Sequence, residues 1–315
     1  MNITILGCGR WGSFLAWHFN RVGFNVLLWG RATSKKYIAL EASRENEYLK
    51  LPSEITLSTS LSYAIDFSDI ILIAINEQNL RELIKNLVLY NYYNKTFIIC
   101  MKGIEKATCK RLSEVVYDYV KNDAQIAIMV GPGQPSDLIK DIPTCFLIDS
   151  NNNDLSLNLA DILNSQYIRI QPGNDLIGNE IGAAVNKIVG IAGGILDELE
   201  CSSLKGLLMV AGTNEISKLI GDLGGNPESA YGICCLGDYQ ASVYSEHSNS
   251  VAFGKSIVKN KVFTNHVPGA FTACAIKELS LKYSIDIPLL LEISNIIISN
   301  DNPKQLINLL KKYNW

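Results

Sequence analysis

Asn2-Ile3-Thr4-Ile5-Leu6-Gly7-Cys8-Gly9-Arg10-Trp11-Gly12, followed by Ser13-Phe14-Leu15-Ala16-Trp17-His18-Phe19, decides the fold. Five residues of strand character run into G-x-G-x-x-G, and Phe14, Leu15, Ala16 and Phe19 beyond it mark the apolar face of a helix. In that setting Gly7 permits the tight turn, Gly9 lets the backbone approach a pyrophosphate, and Gly12 allows the helix to pack closely on the strand. The helix N-terminus offers free N–H groups and positive dipole to the phosphates. Arg10 and Trp11 complete this cofactor-binding loop. A purely structural glycine-rich turn is the competing reading.

The next apolar run, Asn25–Trp29, is followed by Gly30-Arg31. NAD sites usually place a carboxylate near this strand end for the ribose 2′-OH. Arg31 stands there instead, which favours the 2′-phosphate of NADP, with NAD as the alternative. A solvated surface charge is the other reading of Arg31.

Outward from the fingerprint, strand candidates recur at Ile70–Ile75, Thr96–Met101, Ala127–Val130 and Thr144–Leu147, alternating with helical patterns. Such alternation implies right-handed crossovers and a mostly parallel sheet. Asp149–Asp154, with three consecutive asparagines, reads as a surface turn near the domain boundary. Beyond residue 174 the period becomes helical, as in Ile181, Val185, Ile188, Val189 and Ala192. The expected architecture is α/β: an N-terminal Rossmann doubly wound sheet over residues 1–173 and an all-helical substrate and dimerisation domain over 174–315.

A chain of 315 residues suits two domains. A net charge of −3 provides no basic field for a phosphate backbone, so no nucleic-acid partner is expected. No apolar run approaches the ~20 residues of a membrane span, and the opening stretch lacks the form of a secretory leader. Eight cysteines occur without a C-x-x-C pair, so no metal site or disulfide framework is predicted, and a cytoplasmic location with reduced thiols is expected. The vicinal pair Cys234-Cys235 reads as packing near a turn, with redox activity as the alternative.

Further markers follow in order: Lys102-Gly103-Ile104-Glu105, Gly131-Pro132 with Pro143-Thr144, Asp175-Leu-Ile-Gly178-Asn-Glu180, Ala192-Gly193-Gly194 and Leu236-Gly237-Asp238. With the fingerprint and Trp29-Gly30-Arg31, this series resembles the NAD(P)-dependent sn-glycerol-3-phosphate dehydrogenases of bacterial type. The resemblance implies NAD(P)H-dependent reduction of dihydroxyacetone phosphate or a related small ketone. It implies that Lys102 meets substrate and cofactor over the nicotinamide crevice, and that Asp238 completes the catalytic site. It places Gly131, Ser248 and Asn249 at the substrate, and implies a homodimer.

Four positions depart from the family. Its catalytic Lys-Asn pair falls on Asn186-Lys187, in inverted order. One residue is about 100° of helix rotation, so Lys187 leaves from another face unless its stem curls back. The family's phosphate-binding Arg aligns with Asn249, a further Arg with Ala211, and a Glu near the cofactor with Pro268. Lys205 and Lys255 are the candidate replacement cations. His18 reads as structural, whereas His247 and His266 are candidate acid–base groups. Weak activity on dihydroxyacetone phosphate is therefore expected. Two alternatives follow, a paralogue reducing a different carbonyl in a specialised biosynthetic route, and a catalytically silent NADP-binding protein.

Overall fold

The computed structural model describes residues 1–120, 123–245 and 248–313. Its strands are β1 (Asn2–Leu6), β2 (Asn25–Trp29), β3 (Thr56–Ser58), β4 (Ile70–Ile73), β5 (Thr96–Ile99), β6 (Gln125–Val130), β7 (Thr144–Ser150) and β8 (Ile168–Pro172). They form one sheet in the order β3-β2-β1-β4-β5-β6-β7-β8, parallel throughout except where β6 meets β7. Helices α1 (Arg10–Arg21), α2 (Lys35–Ser43), α3 (Leu61–Phe67), α4 (Leu80–Leu87), α5 (Leu112–Val120), α6 (Pro135–Leu138) and α7 (Asn153–Leu163) lie between the strands. The sheet is doubly wound.

Period-two burial shows why these runs are strands. Val26 and Leu28 pack on one face with Phe14, Leu15 and Phe19 of α1, while Leu27 and Trp29 pack on the other with Ala64 and Ile65 of α3. The fingerprint turn is built by contact. A Cβ on Gly12 would lie 1.8 Å from the Gly7 carbonyl oxygen, and Gly7 itself adopts a φ of +127° against the Ala74 carbonyl.

Several expectations need correction. β4 and β5 stop at Ile73 and Ile99, short of Ile75 and Met101, as the chain leaves the sheet ahead of Asn76 and Lys102. β3 and β8 were not anticipated: the first has three residues, and the second is an edge strand whose exposed Arg169 and half-buried Gln171 dilute its apolar signal. Asp149–Asp154 is a surface turn only in part, an exposed bend at Asn151-Asn152 between β7 and α7. Asp149 is buried in β7, where its carboxylate accepts from the Asp175 amide (2.9 Å) and Asn179 Nδ2 (2.8 Å), and α7 begins by Asn153.

The chain continues through α8 (Leu176–Glu198), α9 (Lys205–Asp222), α10 (Asn249–Val258), α11 (Pro268–Tyr283), α12 (Pro288–Ser299) and α13 (Gln305–Lys312). α8 is the central post, with Ile181, Val185, Ile188, Val189 and Ala192 fully enclosed by its neighbours. It crosses α10 nearly backbone on backbone. A Cβ on Gly194 would sit 2.1 Å from the Val251 carbonyl oxygen, and one on Gly254 would sit 2.0 Å from that of Ile191. Glu180 of α8 fastens the helices to the sheet layer, accepting from the Ser113 amide (2.8 Å), Ser113 Oγ (2.6 Å) and Arg111 Nη1 (3.0 Å). No helix among the described residues is long and apolar enough to cross a membrane.

Candidate active site

The C-terminal ends of the parallel strands deliver the polar side chains, as open α/β sheets do at a topological switch point. β1 leads to Gly7–Gly12, β2 to Arg31, β4 to Asn76, β5 to Lys102 and β6 to Gly131. A cleft of about 840 Å³ runs along this edge, lined by Gly7, Gly9, Arg10, Trp11 and Arg31 at one end and by Asn76 and His266 at the other. Of the expected cofactor residues, Gly7, Gly9, Arg10, Trp11 and Arg31 therefore share one surface; Gly12 is buried beneath it, and Lys102 is not part of the cleft lining but points to Gly131 and Asp238.

The cleft fits a dinucleotide. A Cβ on Gly9 would meet only Lys36 Nζ, at 4.0 Å, so the backbone there is open to a ligand's approach. Arg10 is held over the Tyr48 ring at 4.4 Å, and its buried Nε has no protein partner. Arg31 is exposed and shares the cleft wall with Lys35 and Lys36, giving one end three cations. Sequence reasoning passed over the two lysines. Their signal was the spacing, three cations within six residues after β2.

Outside the lining of this cleft lies a second cluster, centred on Asp238. This carboxylate is buried in the turn between α9 and α10, and its Oδ2 receives Lys187 Nζ (2.6 Å), Lys102 Nζ (2.8 Å) and Asn186 Nδ2 (3.1 Å). Lys102 also donates to the Gly131 carbonyl (2.7 Å), and Asn186 to that of Cys234 (2.9 Å). Lys102, Gly131, Asn186, Lys187 and Asp238 thus converge. The Lys187 stem does curl back, so two ammonium groups share one carboxylate and the cluster stays net positive. Burial, reinforced by the charge of Lys102, brings the Lys187 ammonium down to about 8, against the opposing pull of Asp238. Burial alone would raise the Asp238 carboxyl, but Lys102 and Lys187 hold it below its ordinary range.

Other expected residues fall elsewhere. Ser248 caps α10 and donates to the Ser242 carbonyl, and Asn249 Nδ2 reaches the His266 carbonyl at 3.3 Å. Neither bonds to the Asp238 cluster among the described residues. Ala211 is enclosed in the helical core, away from the cleft. Lys205 and Lys255, the candidate replacement cations, are both paired with Asp197, at 2.7 and 3.8 Å, and neither lines the cleft. His18 is buried among Phe14, Phe19 and Tyr167, and His247 lies outside the described residues. Cys234 and Cys235 are fully buried, and burial pushes both thiols up, Cys235 to about 12, which removes the thiolate that exchange requires. No grouping of His, Cys, Asp and Glu suited to a metal occurs among the described residues.

Residues 2–156 match the N-terminal domain of NAD-dependent glycerol-3-phosphate dehydrogenase, and residues 175–308 match its C-terminal domain. The chain belongs to the NAD-dependent glycerol-3-phosphate dehydrogenase family. It is similar to the glycerol-3-phosphate dehydrogenase [NAD(P)+] of a Thermoanaerobacter species, with 30% identity over 98% of this chain and 96% of the relative. The enzyme of the same name from Fusobacterium nucleatum is 28% identical over the same shares. The crystal structure of glycerol-3-phosphate dehydrogenase from Coxiella burnetii superposes with a TM-score of 0.91, at 25% identity, over 99% of this chain and 98% of that one. As a glycerol-3-phosphate dehydrogenase family member, the chain is an NAD(P)-dependent oxidoreductase acting on a CH–OH group.

Proposed function

We propose that this family member interconverts dihydroxyacetone phosphate and sn-glycerol 3-phosphate, using NADPH in preference to NADH. The observation that carries the reading is the 2.6 Å contact between Lys187 and Asp238. An ammonium occupies the catalytic cluster although position 186 holds an asparagine. The inverted order at 186 and 187 therefore does not remove the ammonium from the cluster, and the relatives described above favour neither a different carbonyl nor a silent binding protein.

In this reading residues 1–173 hold the cofactor and residues 174–315 close the site. Gly7, Gly9, Arg10, Trp11 and Gly12 form the pyrophosphate turn, and Arg31 takes the 2′-phosphate with Lys35 and Lys36 beside it. When bound, the dinucleotide supplies the hydride. Lys187 holds the proton destined for the carbonyl oxygen, since an acid titrating near 8 is charged at neutral pH yet gives up its proton readily. Lys102 stabilises the developing alkoxide and touches the cofactor, and Asp238 fixes both ammonium groups. Asn186 Oδ1 and Asp238 Oδ1 are buried acceptors without a protein partner, a fit for a substrate rich in hydroxyl groups. Gly131 contributes its carbonyl to this wall. Ser248 and Asn249, at the start of α10, would offer the phosphate a hydroxyl and a carboxamide in place of a guanidinium, and each would have to leave its present partner, the Ser242 and His266 carbonyls, so phosphate binding is weakened.

A homodimer in the cytoplasm completes the proposal, with Leu207 and Val210 exposed on α9 as the candidate contact. NADPH oxidation with dihydroxyacetone phosphate, set against unphosphorylated dihydroxyacetone, tests the function. Turnover of the phosphate ester with a raised KM is expected. Tight NADPH binding without turnover of either ketone refutes it.

A further inference from the structure

His266 precedes α11 in the helical domain, yet its ring is tied to the other domain. Nε2 lies 2.7 and 3.0 Å from the two carboxylate oxygens of Glu77, and Nδ1 lies 3.2 Å from Asn76 Nδ2. Glu77 is only 3% exposed, in the short turn that leaves β4. The orientation of Asn76 is set by a backbone donor, because its Oδ1 accepts from the Gln78 amide at 2.9 Å. Its Nδ2 must therefore point at Nδ1, which accepts, leaving Nε2–H to donate to Glu77. Both ring nitrogens are thus engaged in one tautomer. Phe271 stacks on the ring at 5.3 Å, and a third of the His266 side chain remains exposed on the cleft.

This assembly sits at a definite place along the ligand. The Arg31 end of the cleft lies beyond β2, the pyrophosphate turn follows β1, and Asn76 and Glu77 follow β4, next to the Lys102 end of β5. A dinucleotide laid along that edge with adenosine over β2 puts its nicotinamide half beneath His266. Pro268, two residues after His266, has no polar side chain to offer the cleft. A carboxylate reaches the region from the opposite domain instead.

We infer that His266, locked in place by Glu77 and Asn76, grips the nicotinamide half of the cofactor with its ring and closes the helical domain onto the sheet. Glu77 is the positioning residue, acting only through the imidazole. The inference rests on the dinucleotide occupying this cleft. Its readout is binding rather than turnover, so failure of the dihydroxyacetone phosphate reading leaves it standing.

The test compares dissociation constants for NADPH and for ADP, which has the adenosine and pyrophosphate but no nicotinamide. His266→Ala is expected to weaken NADPH by about five- to ten-fold, the scale of one aromatic contact, while ADP stays within about two-fold. Glu77→Ala is expected to match it, and the double variant to be no worse than either single change. Glu77→Gln is expected to retain most of the affinity, because the carboxamide oxygen still accepts from Nε2–H. If Glu77→Ala does not fold, His266→Ala and Glu77→Gln carry the same comparison. Equal losses for NADPH and ADP, an unchanged NADPH constant in His266→Ala, or Glu77→Gln as weak as His266→Ala would overturn the assignment.

Discussion

Replacing Lys187 with Met removes the ammonium and keeps most of the stem volume. Asp238 is not orphaned by the change, because Oδ2 still receives Lys102 at 2.8 Å and Asn186 at 3.1 Å. The loss should therefore be chemical rather than structural. Removing a general acid costs about 10²–10⁴-fold in rate, or roughly 3–5 kcal/mol of transition-state stabilisation. The native titration near 8 fixes the pH behaviour as well: at pH 7 about nine in ten Lys187 groups are charged. Ketone reduction needs the charged form, so kcat/KM, which reports the free enzyme, should be nearly flat up to neutral pH and fall towards ten-fold per unit above about 8. Oxidation of the alcohol needs the neutral form and should fall below the same point. Initial rates of NADPH oxidation and NADP+ reduction across pH 6–10 measure both limbs. The exchanged variant Asn186→Lys with Lys187→Asn restores the family order and should recover activity that Lys187→Met loses. A Lys187→Met protein with kcat within about three-fold of the parent, or with the alkaline limb intact, would refute the assignment.

Asn249→Arg should lower KM for dihydroxyacetone phosphate by about ten-fold or more with little change in kcat, since a charged hydrogen bond is worth roughly 1.5–3 kcal/mol; steady-state kinetics decide it. Arg31→Ala should narrow the NADPH over NADH preference by about ten-fold, read from the two titrations, and equal binding of both cofactors by the parent removes the argument. Burial, aided by Arg21, pushes His18 down to about 4 from an unfolded value of 6.5. Between those values the unfolded chain binds a proton that the native chain does not, so stability falls as pH drops, by up to about 3 kcal/mol, and levels off below 4. Denaturant titrations of His18→Gln should show that part of the acid loss gone; a parent-like slope would contradict it.

Local signals carried most of the fold. The fingerprint, the central strands and α8 each bury a periodic apolar face, and periodicity is a property of neighbouring residues. β8 was illegible because its alternation is confined to Ile168-Arg169-Ile170-Gln171 before Pro172 ends it, too short a run to stand out, and Asp149 misled because its partner Asn179 lies on α8, near in space and distant in sequence. The same limit governs the site. Gly7–Gly12 is contiguous and was read directly, whereas Lys187 could be placed only by knowing where Asp238 stands, 51 residues on. The His266–Glu77 pair spans 189 residues and leaves no trace in either local segment.

The backbone-to-backbone crossing of α8 and α10 bears on how this site can evolve. Asn186 and Lys187 ride on one helix and Ser248 and Asn249 begin the other, and at Gly194 and Gly254 there is no side-chain thickness to compress or shear. The two helices act as a single rigid jaw. Side chains on its gripping edge can be exchanged, even transposed as at 186 and 187, without moving the anchor points from which they reach. Divergence in substrate preference can therefore proceed one residue at a time at the rim, while a single added methyl at the crossing would displace every contact together.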